Sequence, residues 1–197
     1  MLKTRSLTPE LAAASCLALM RAGEQSAAQA FARIAHRLTP GEFAHAGQVV
    51  TEMIADEERH DVLLAECATA LPAVTTDFAA RHFFRRLETR EPGVHLARIS
   101  ALDACSCQLL SRMLGPVPRP SLSARLVTTL SCIRRDEGAH VRSTRRLALD
   151  LGVEAGAFRD ITHGVRHSFA ALLRTRATYF EALGVDSDGM IRCIERD

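Results

Sequence analysis

Asp56-Glu57-Glu58-Arg59-His60 and Asp136-Glu137-Gly138-Ala139-His140 are two copies of one pattern, Asp-Glu-x-x-His, set far apart in a chain of 197 residues. Each stands inside a stretch with helical periodicity. On an α-helix positions i and i+3 lie one above the other, so Glu57 with His60, and Glu137 with His140, each present a carboxylate and an imidazole on one face. Helical steps from Glu57 reach Val50, Met53, Leu64 and Leu71; the same steps from Glu137 reach Leu130, Ile133, Val141 and Leu151. Both pairs therefore interrupt apolar stripes that face a core. An unpaired carboxylate there would cost several kcal/mol, so an arginine from another helix or a metal ion must neutralise it. The repetition of the pair on two core-facing stripes points to metal.

Outward from these motifs the chain reads as long helices punctuated by proline and glycine, with no strand-like alternation. Thr8-Pro9-Glu10 supplies an N-cap followed by proline at the first helical position, and a helix runs from there to about Leu38, where Thr39-Pro40-Gly41 stops it. A second helix carries the first motif and ends near Leu71-Pro72. Thr76 to Glu88 reads as a shorter basic segment with Arg81, Arg85 and Arg86. Glu91-Pro92-Gly93 opens a third long helix to about Leu114, and the proline-rich run from Gly115 to Pro120 is an extended connection. Ser121 is the expected cap of the fourth helix, which carries the second motif and stops at Gly152. A fifth helix is expected from about Val153 to Leu183, with the stripe Phe158, Ile161, Val165, Phe169 and Leu172; the tail after Gly184 carries no reading.

The first and third helices each hold one acid in an apolar stripe. Glu24 interrupts Leu17, Met20, Ala27, Phe31, Ile34 and Leu38, and Asp103 interrupts Leu96, Ile99, Leu110 and Leu114. Glu24 precedes Glu57 by 33 residues and Asp103 precedes Glu137 by 34, so the chain repeats a helical hairpin of one design. Two such hairpins related by a pseudo-two-fold bring four carboxylates and two histidines to one point.

In this the chain resembles the ferritin-like di-iron carboxylate proteins, whose pattern is a Glu from each of two helices plus Glu-x-x-His from each of the other two. The resemblance covers roughly residues 8 to 152. It implies an all-α fold: a ferritin-like four-helix bundle with an additional long C-terminal helix and a short helix between helices two and three. It implies a single domain over 1–197, the di-metal bundle at 8–152 and the fifth helix at 153–184 packing on it. By the resemblance Glu24, Glu57, His60, Asp103, Glu137 and His140 are the metal ligands, with Glu57 and Glu137 bridging. Asp56 and Asp136 then hold the histidines from outside the ligand shell, Asp136 on His60 and Asp56 on His140. The chain departs from the pattern at Asp103, where the family usually has Glu, one methylene longer; this predicts a weaker second metal position. Carboxylate and imidazole donors suit two iron ions, with manganese compatible at one position, whereas structural zinc favours thiolates.

Composition sets the class. Hydrophobic residues make up 47% of the chain, and no apolar run approaches the ~18 to 20 residues of a membrane span. Met1 to Ser6 lack a signal peptide's apolar region, so a cytoplasmic protein without a membrane partner is expected. A net charge of +2 does not demand a nucleic-acid partner; the basic residues are arginine except Lys3, and the Arg and Ala richness points to a GC-rich bacterial genome. The six cysteines, Cys16, Cys67, Cys105, Cys107, Cys132 and Cys193, form no Cys-x-x-Cys pair and read as free thiols.

The expected function is that of an oxygen-activating di-iron oxidase or monooxygenase, a monomer or homodimer that acts on dioxygen and a small organic substrate with electrons from an external reductase. The absent Cys-x-x-Cys knuckles disfavour a rubrerythrin, and the basic segment and fifth helix are positioned to wall a substrate cavity. Two alternatives share the ligand order: a tRNA-modifying di-iron hydroxylase, with the arginines as its footprint, and an iron-storage or peroxide-scavenging protein. His163 and His167 fall off the apolar stripe and read as exposed; Tyr179 reads as packing. Arg142, Arg145 and Arg146 read as a solvated helix face, and Cys107 as a small hydrophobe near the cavity.

Overall fold

Local capping signals delimit the helices in the computed structural model, which describes residues 7–38, 44–115 and 122–196. Among the described residues there are eight helices and no strand. In α1 (Pro9–Arg37) the Thr8 hydroxyl accepts the Leu11 N–H at 3.3 Å, and Pro9 sits in the first turn, where its missing N–H costs nothing. Next come α2 (Ala44–Ala68) and α3 (Phe78–Arg86), the latter capped by Asp77, whose carboxylate accepts the Ala80 N–H at 2.9 Å. Pro92 opens α4 (Pro92–Leu114), and Gly115 ends it at a φ of +57°, which favours glycine. Ser123, not Ser121, caps α5 (Ala124–Asp150): its hydroxyl accepts the Leu126 N–H at 3.2 Å. Ser121 itself, the Thr39-Pro40-Gly41 stop and the proline run lie outside the described residues, save Gly115.

The single fifth helix expected over 153–184 is two. A break at Thr175 and Arg176 separates α6 (Ala155–Arg174) from α7 (Ala177–Ala182). Arg176 leaves helical geometry at a φ of −124° and turns inward, where its Nε donates to the Asp77 carboxylate at 2.8 Å and its guanidinium caps the Leu172 carbonyl at 3.1 Å. A tertiary ion pair thus overrides helix propensity. Nor is the tail featureless. Gly184, at a φ of +75°, terminates α7 with the Val185 N–H on the Phe180 carbonyl at 2.9 Å, and Asp186 caps α8 (Ser187–Glu195). Met190, Ile191 and Ile194 of α8 are buried, packed on α6 and α4.

The Asp77–Arg176 pair makes one prediction. Burial alone would raise the Asp77 carboxyl, but the Arg176 guanidinium and the α3 amides outweigh it and hold the group below its usual 3.8. Its share of stability is therefore present above the ordinary carboxylate range and drains as pH falls through the lowered value. Asp77→Ala strands a buried guanidinium and removes a cap, and should cost about 3 kcal/mol at neutral pH. Urea midpoints of the two proteins should converge once the pH falls below the lowered Asp77 value; equal midpoints at pH 7 would show that the pair contributes nothing.

Packing is closest between α1 and α2 and between α4 and α5, with α2 against α5 and α1 against α4 joining the pairs. Two apolar clusters form. One gathers Leu17 and Leu19 of α1, Leu64 of α2, Leu109 and Leu110 of α4 and Leu130 and Ile133 of α5, together with α3 and α6 to α8. The other gathers Phe31 and Ile34, Val50 and Met53, Leu96 and Ile99, and Leu147 and Ala148 from the same four helices. In chain order α1 and α5 pass from the first cluster to the second, whereas α2 and α4 pass from the second to the first. Each fully buried Leu or Ile contributes about 1.5 to 3 kcal/mol, so the fold is held from both ends. Glu24, Glu57, Asp103 and Glu137 fall between the two clusters on their helices, in a polar waist. No helix among the described residues is long and apolar enough to cross a membrane.

Candidate metal centre

The 3.6-residue period that places apolar residues above and below the waist also turns the four acids and two histidines into it. Exposure is 2% for Glu57, 0% for His60, 5% for Asp103, 4% for Glu137 and 3% for His140, and Glu24 is nearly as enclosed. All six come together. Ligand atoms of Glu24, Glu57, His60 and Glu137 lie within 4.8 Å of one another, and so do those of Asp103, Glu137 and His140. The glutamates of the two motifs sit between the histidines: Glu57 is 4.0 Å from His60 Nδ1 and 3.1 Å from His140 Nδ1, and Glu137 is 3.7 Å and 4.0 Å from the same atoms. Glu24 Oε2 approaches His60 Nδ1 at 3.2 Å.

The outer nitrogens point the other way. His60 Nε2 meets Asp136 Oδ2 at 3.3 Å and His140 Nε2 meets Asp56 Oδ2 at 3.2 Å, each contact crossing between α2 and α5. A ring proton held on each Nε2 by its carboxylate would leave the Nδ1 lone pairs turned to the waist. Arg59 ties the two outer acids together, 2.8 Å from Asp56 Oδ1 and 2.8 Å from Asp136 Oδ2. Arg135 and the Cys132 thiol also bond Asp136. Burial by itself would raise Asp136, yet His60 and Arg135 keep its carboxyl below the usual range.

Inside the waist the balance is reversed. Among the described residues Glu24, Glu57 and Glu137 form ion pairs with histidine alone, not with arginine. Burial first, then the neighbouring carboxylates, push Glu57, Glu137 and Asp103 well above the ordinary carboxylate range. The histidines differ: burial lowers both, but Glu24 and Asp136 outweigh it and raise His60, while His140 stays lowered. Glu57 Oε1, Asp103 Oδ2 and His140 Nδ1 are buried without a hydrogen-bond partner. Glu57 Oε1 and His140 Nδ1 face each other at 3.1 Å in a geometry that makes no hydrogen bond. Buried polar atoms are seldom left so. The donors fit a cation: the group could hold a metal ion of the carboxylate- and imidazole-binding kind.

Comparison with known proteins yields no match: no family model, no curated protein and no solved structure corresponds to the chain. The site therefore stands on its own geometry.

A cavity of about 50 Å³ opens beside the acids, lined by Glu24, Glu57, Asp103 and Glu137 on one side and by Leu19, Met20, Leu110, Ile133, Phe84 and Phe169 among others on the rest. Phe84 comes from α3 and Phe169 from α6, so the short basic segment and the fifth helix do wall it. Gly23, next to Glu24, makes room: a Cβ there would stand 3.3 Å from the Phe84 ring. The volume suits a few waters or a diatomic molecule. Sequence reading missed Phe84, Arg59 and Gly23. Only adjacency to Glu24 could have marked Gly23; the motif itself contained Arg59.

The remaining candidates fall outside. His163 and His167 are exposed, as are Arg142, Arg145 and Arg146, of which Arg145 stacks 5.4 Å over Phe158 and Arg146 pairs with Asp150. Tyr179 packs half-buried against the first cluster. Cys107 is half-buried with its thiol on the Arg134 carbonyl, and Ser106, not Cys107, lines the cavity. All six cysteines are free, and burial pushes Cys16 and Cys105 up to about 12, so neither is a ready thiolate.

Proposed function

We propose that the chain is a ferritin-like di-iron carboxylate protein that activates dioxygen to oxidise a small organic substrate, drawing electrons from an external donor. The observation that carries the reading is the reciprocal crossing of His60 onto Asp136 and His140 onto Asp56, with both Nδ1 atoms turned into a cluster of acids that, among the described residues, pairs with no arginine. A structural ion-pair network has no need of that arrangement, whereas metal-bound imidazoles commonly donate their other N–H to an outer carboxylate. The helix directions add support, since two antiparallel pairs joined so that α2 and α4 run alike suit a bundle with one long crossover.

Glu24, Glu57, His60, Asp103, Glu137 and His140 would hold the ions, Glu57 and Glu137 serving both positions because each lies near both histidines. When bound, two iron ions supply the electrons and Lewis acidity that dioxygen chemistry needs. The chain does the rest. Asp56, Asp136 and Arg59 orient the imidazoles and keep their tautomers, and the apolar wall of Phe84, Phe169, Leu110 and Ile133 limits water beside the centre.

Anaerobic loading with ferrous iron, followed by oxygen addition, tests the reading through oxygen uptake and optical change. Loading should reach close to two irons per chain, with unequal affinities, because Asp103, on the His140 side, is a methylene shorter than Glu24 on the His60 side. A persistent limit of one metal would remove the di-iron assignment and point to Asp103. Asp136→Asn and Asp56→Asn should each lower metal affinity by roughly 10- to 100-fold without changing the stoichiometry at saturation. Unchanged affinity in both would show that the outer acids do not serve the histidines. Native mass separates an enzyme of one or two chains from a storage shell.

A further inference from the structure

The buried cavity has an outer counterpart. A groove of about 510 Å³ runs between α3 and α6, with Phe83, Ile161 and Val165 on its floor and Arg86, Arg98 and His167 around it. No acid lines it. Glu195 stands 3.9 Å from His167 and is already bonded to Arg174, and Glu88, next to the lining residue Leu87, pairs with Arg33. Arg98 spends one guanidinium nitrogen on the Leu87 and Glu88 carbonyls at the end of α3, which fixes its position; Arg86 is exposed.

Groove and cavity share a partition of three aromatic rings. Phe83 faces the groove, while Phe84 and Phe169 face the cavity and its carboxylates. The Phe83 ring centre lies 5.2 Å from that of Phe84 and 5.8 Å from that of Phe169. Val165 in the groove and Phe169 in the cavity are one turn apart on α6. Phe83 and Phe84 thus stand between the groove and the cavity, and aromatic side chains can change rotamer without moving backbone.

We propose that this groove is the mouth of the buried centre and that it receives an amphiphilic organic carboxylate, its anionic head on Arg86 and Arg98 and its aliphatic body along Phe83 and Val165 towards Phe84. Two guanidinium forks suit a carboxylate, and an acid-free rim adds no repulsion. The apolar floor supplies the burial that holds an aliphatic body and would not hold a bare anion. This rests on the reading of the waist as a metal centre, and it names the substrate class of that centre.

Octanoate titrated into the metal-free full chain, followed by methyl and amide NMR, tests the groove alone. Saturable shifts at Ile161 and Val165 are expected, with Arg86→Gln and the neutral probe 1-octanol each weakening binding on the order of tenfold. Inorganic phosphate should give no saturable shifts. Equal affinity for octanoate and 1-octanol, unchanged binding in Arg86→Gln, or shifts confined to other helices would overturn the proposal. Because Arg98 also caps α3, Arg86→Gln is the deciding variant and Arg98→Gln the supporting one. The link to the centre is tested in cobalt(II)-loaded protein, whose visible spectrum should change as octanoate saturates. A spectrum that stays fixed while the groove fills would refute the mouth assignment; failure of cobalt to bind at all would instead sink the metal reading, and the mouth with it.

Discussion

His60→Ala and His140→Ala are each expected to abolish oxygen-dependent iron oxidation, a loss of at least about a hundredfold, while far-UV helicity stays near that of the parent. Each change removes the single imidazole nitrogen that its motif turns into the waist. Neither histidine belongs to the two apolar clusters, although His140 meets the Phe31 ring edge-on at 6.4 Å. His60→Ala also releases Asp136 and Glu24 from their shared partner, so it should perturb the apoprotein more than His140→Ala, whose Nδ1 lacks a hydrogen bond already. Stopped-flow oxidation after anaerobic ferrous loading, with circular dichroism on the same samples, measures both effects. Oxidation at parental rates in both variants would remove the basis for treating the repeated motif as ligands.

Metal loading should raise the melting temperature by on the order of 8 °C. An ion that binds only the folded chain stabilises it by RT ln(1 + [L]/Kd), roughly 3 kcal/mol at a hundredfold excess over Kd, and a chain of this size gains roughly 2 to 4 °C per kcal/mol. The apoprotein carries the opposing cost: Glu57, Asp103 and Glu137 are buried beside one another, and burial with mutual repulsion pushes their carboxyls upward. Replacing Glu24 and Asp103 together by leucine should therefore raise the melting temperature of the metal-free chain while eliminating metal binding, because apolar residues of similar size relieve repulsion and desolvation at once. Scanning calorimetry of parent and double variant, with and without saturating Mn(II), distinguishes the outcomes. Equal melting temperatures of the parent in both conditions, together with destabilisation by the double substitution, would mean that the acids are structural.

The asymmetry of the centre was partly legible in the chain. Asp103 sits one residue out of step with Glu24 and is a methylene short, which implied a different reach on that side. The structure still brings it to Glu137 and His140, in a group that shares Glu137 with the one that Glu24 joins, and leaves its Oδ2 unpartnered. Spacing along one helix predicted which face each acid occupies; it could not say which neighbour that face would meet.

The long helices and their apolar faces, the two Glu-x-x-His pairs and the acids set in the apolar stripes of α1 and α4 were determined by the sequence itself, because the 3.6-residue period and local caps such as Thr8 and Pro9 are properties of a few adjacent residues. What the tertiary structure alone decided depends on residues far apart in the chain. Arg176 breaks the expected fifth helix because Asp77, 99 residues away, captures it. Phe84 closes over Glu24 because Gly23 leaves space on a different helix. Arg59 joins Asp56 to Asp136 only once α2 lies on α5. Such long-range partners leave no periodic trace, since their stabilisation appears only after the chain has met its own distant surface.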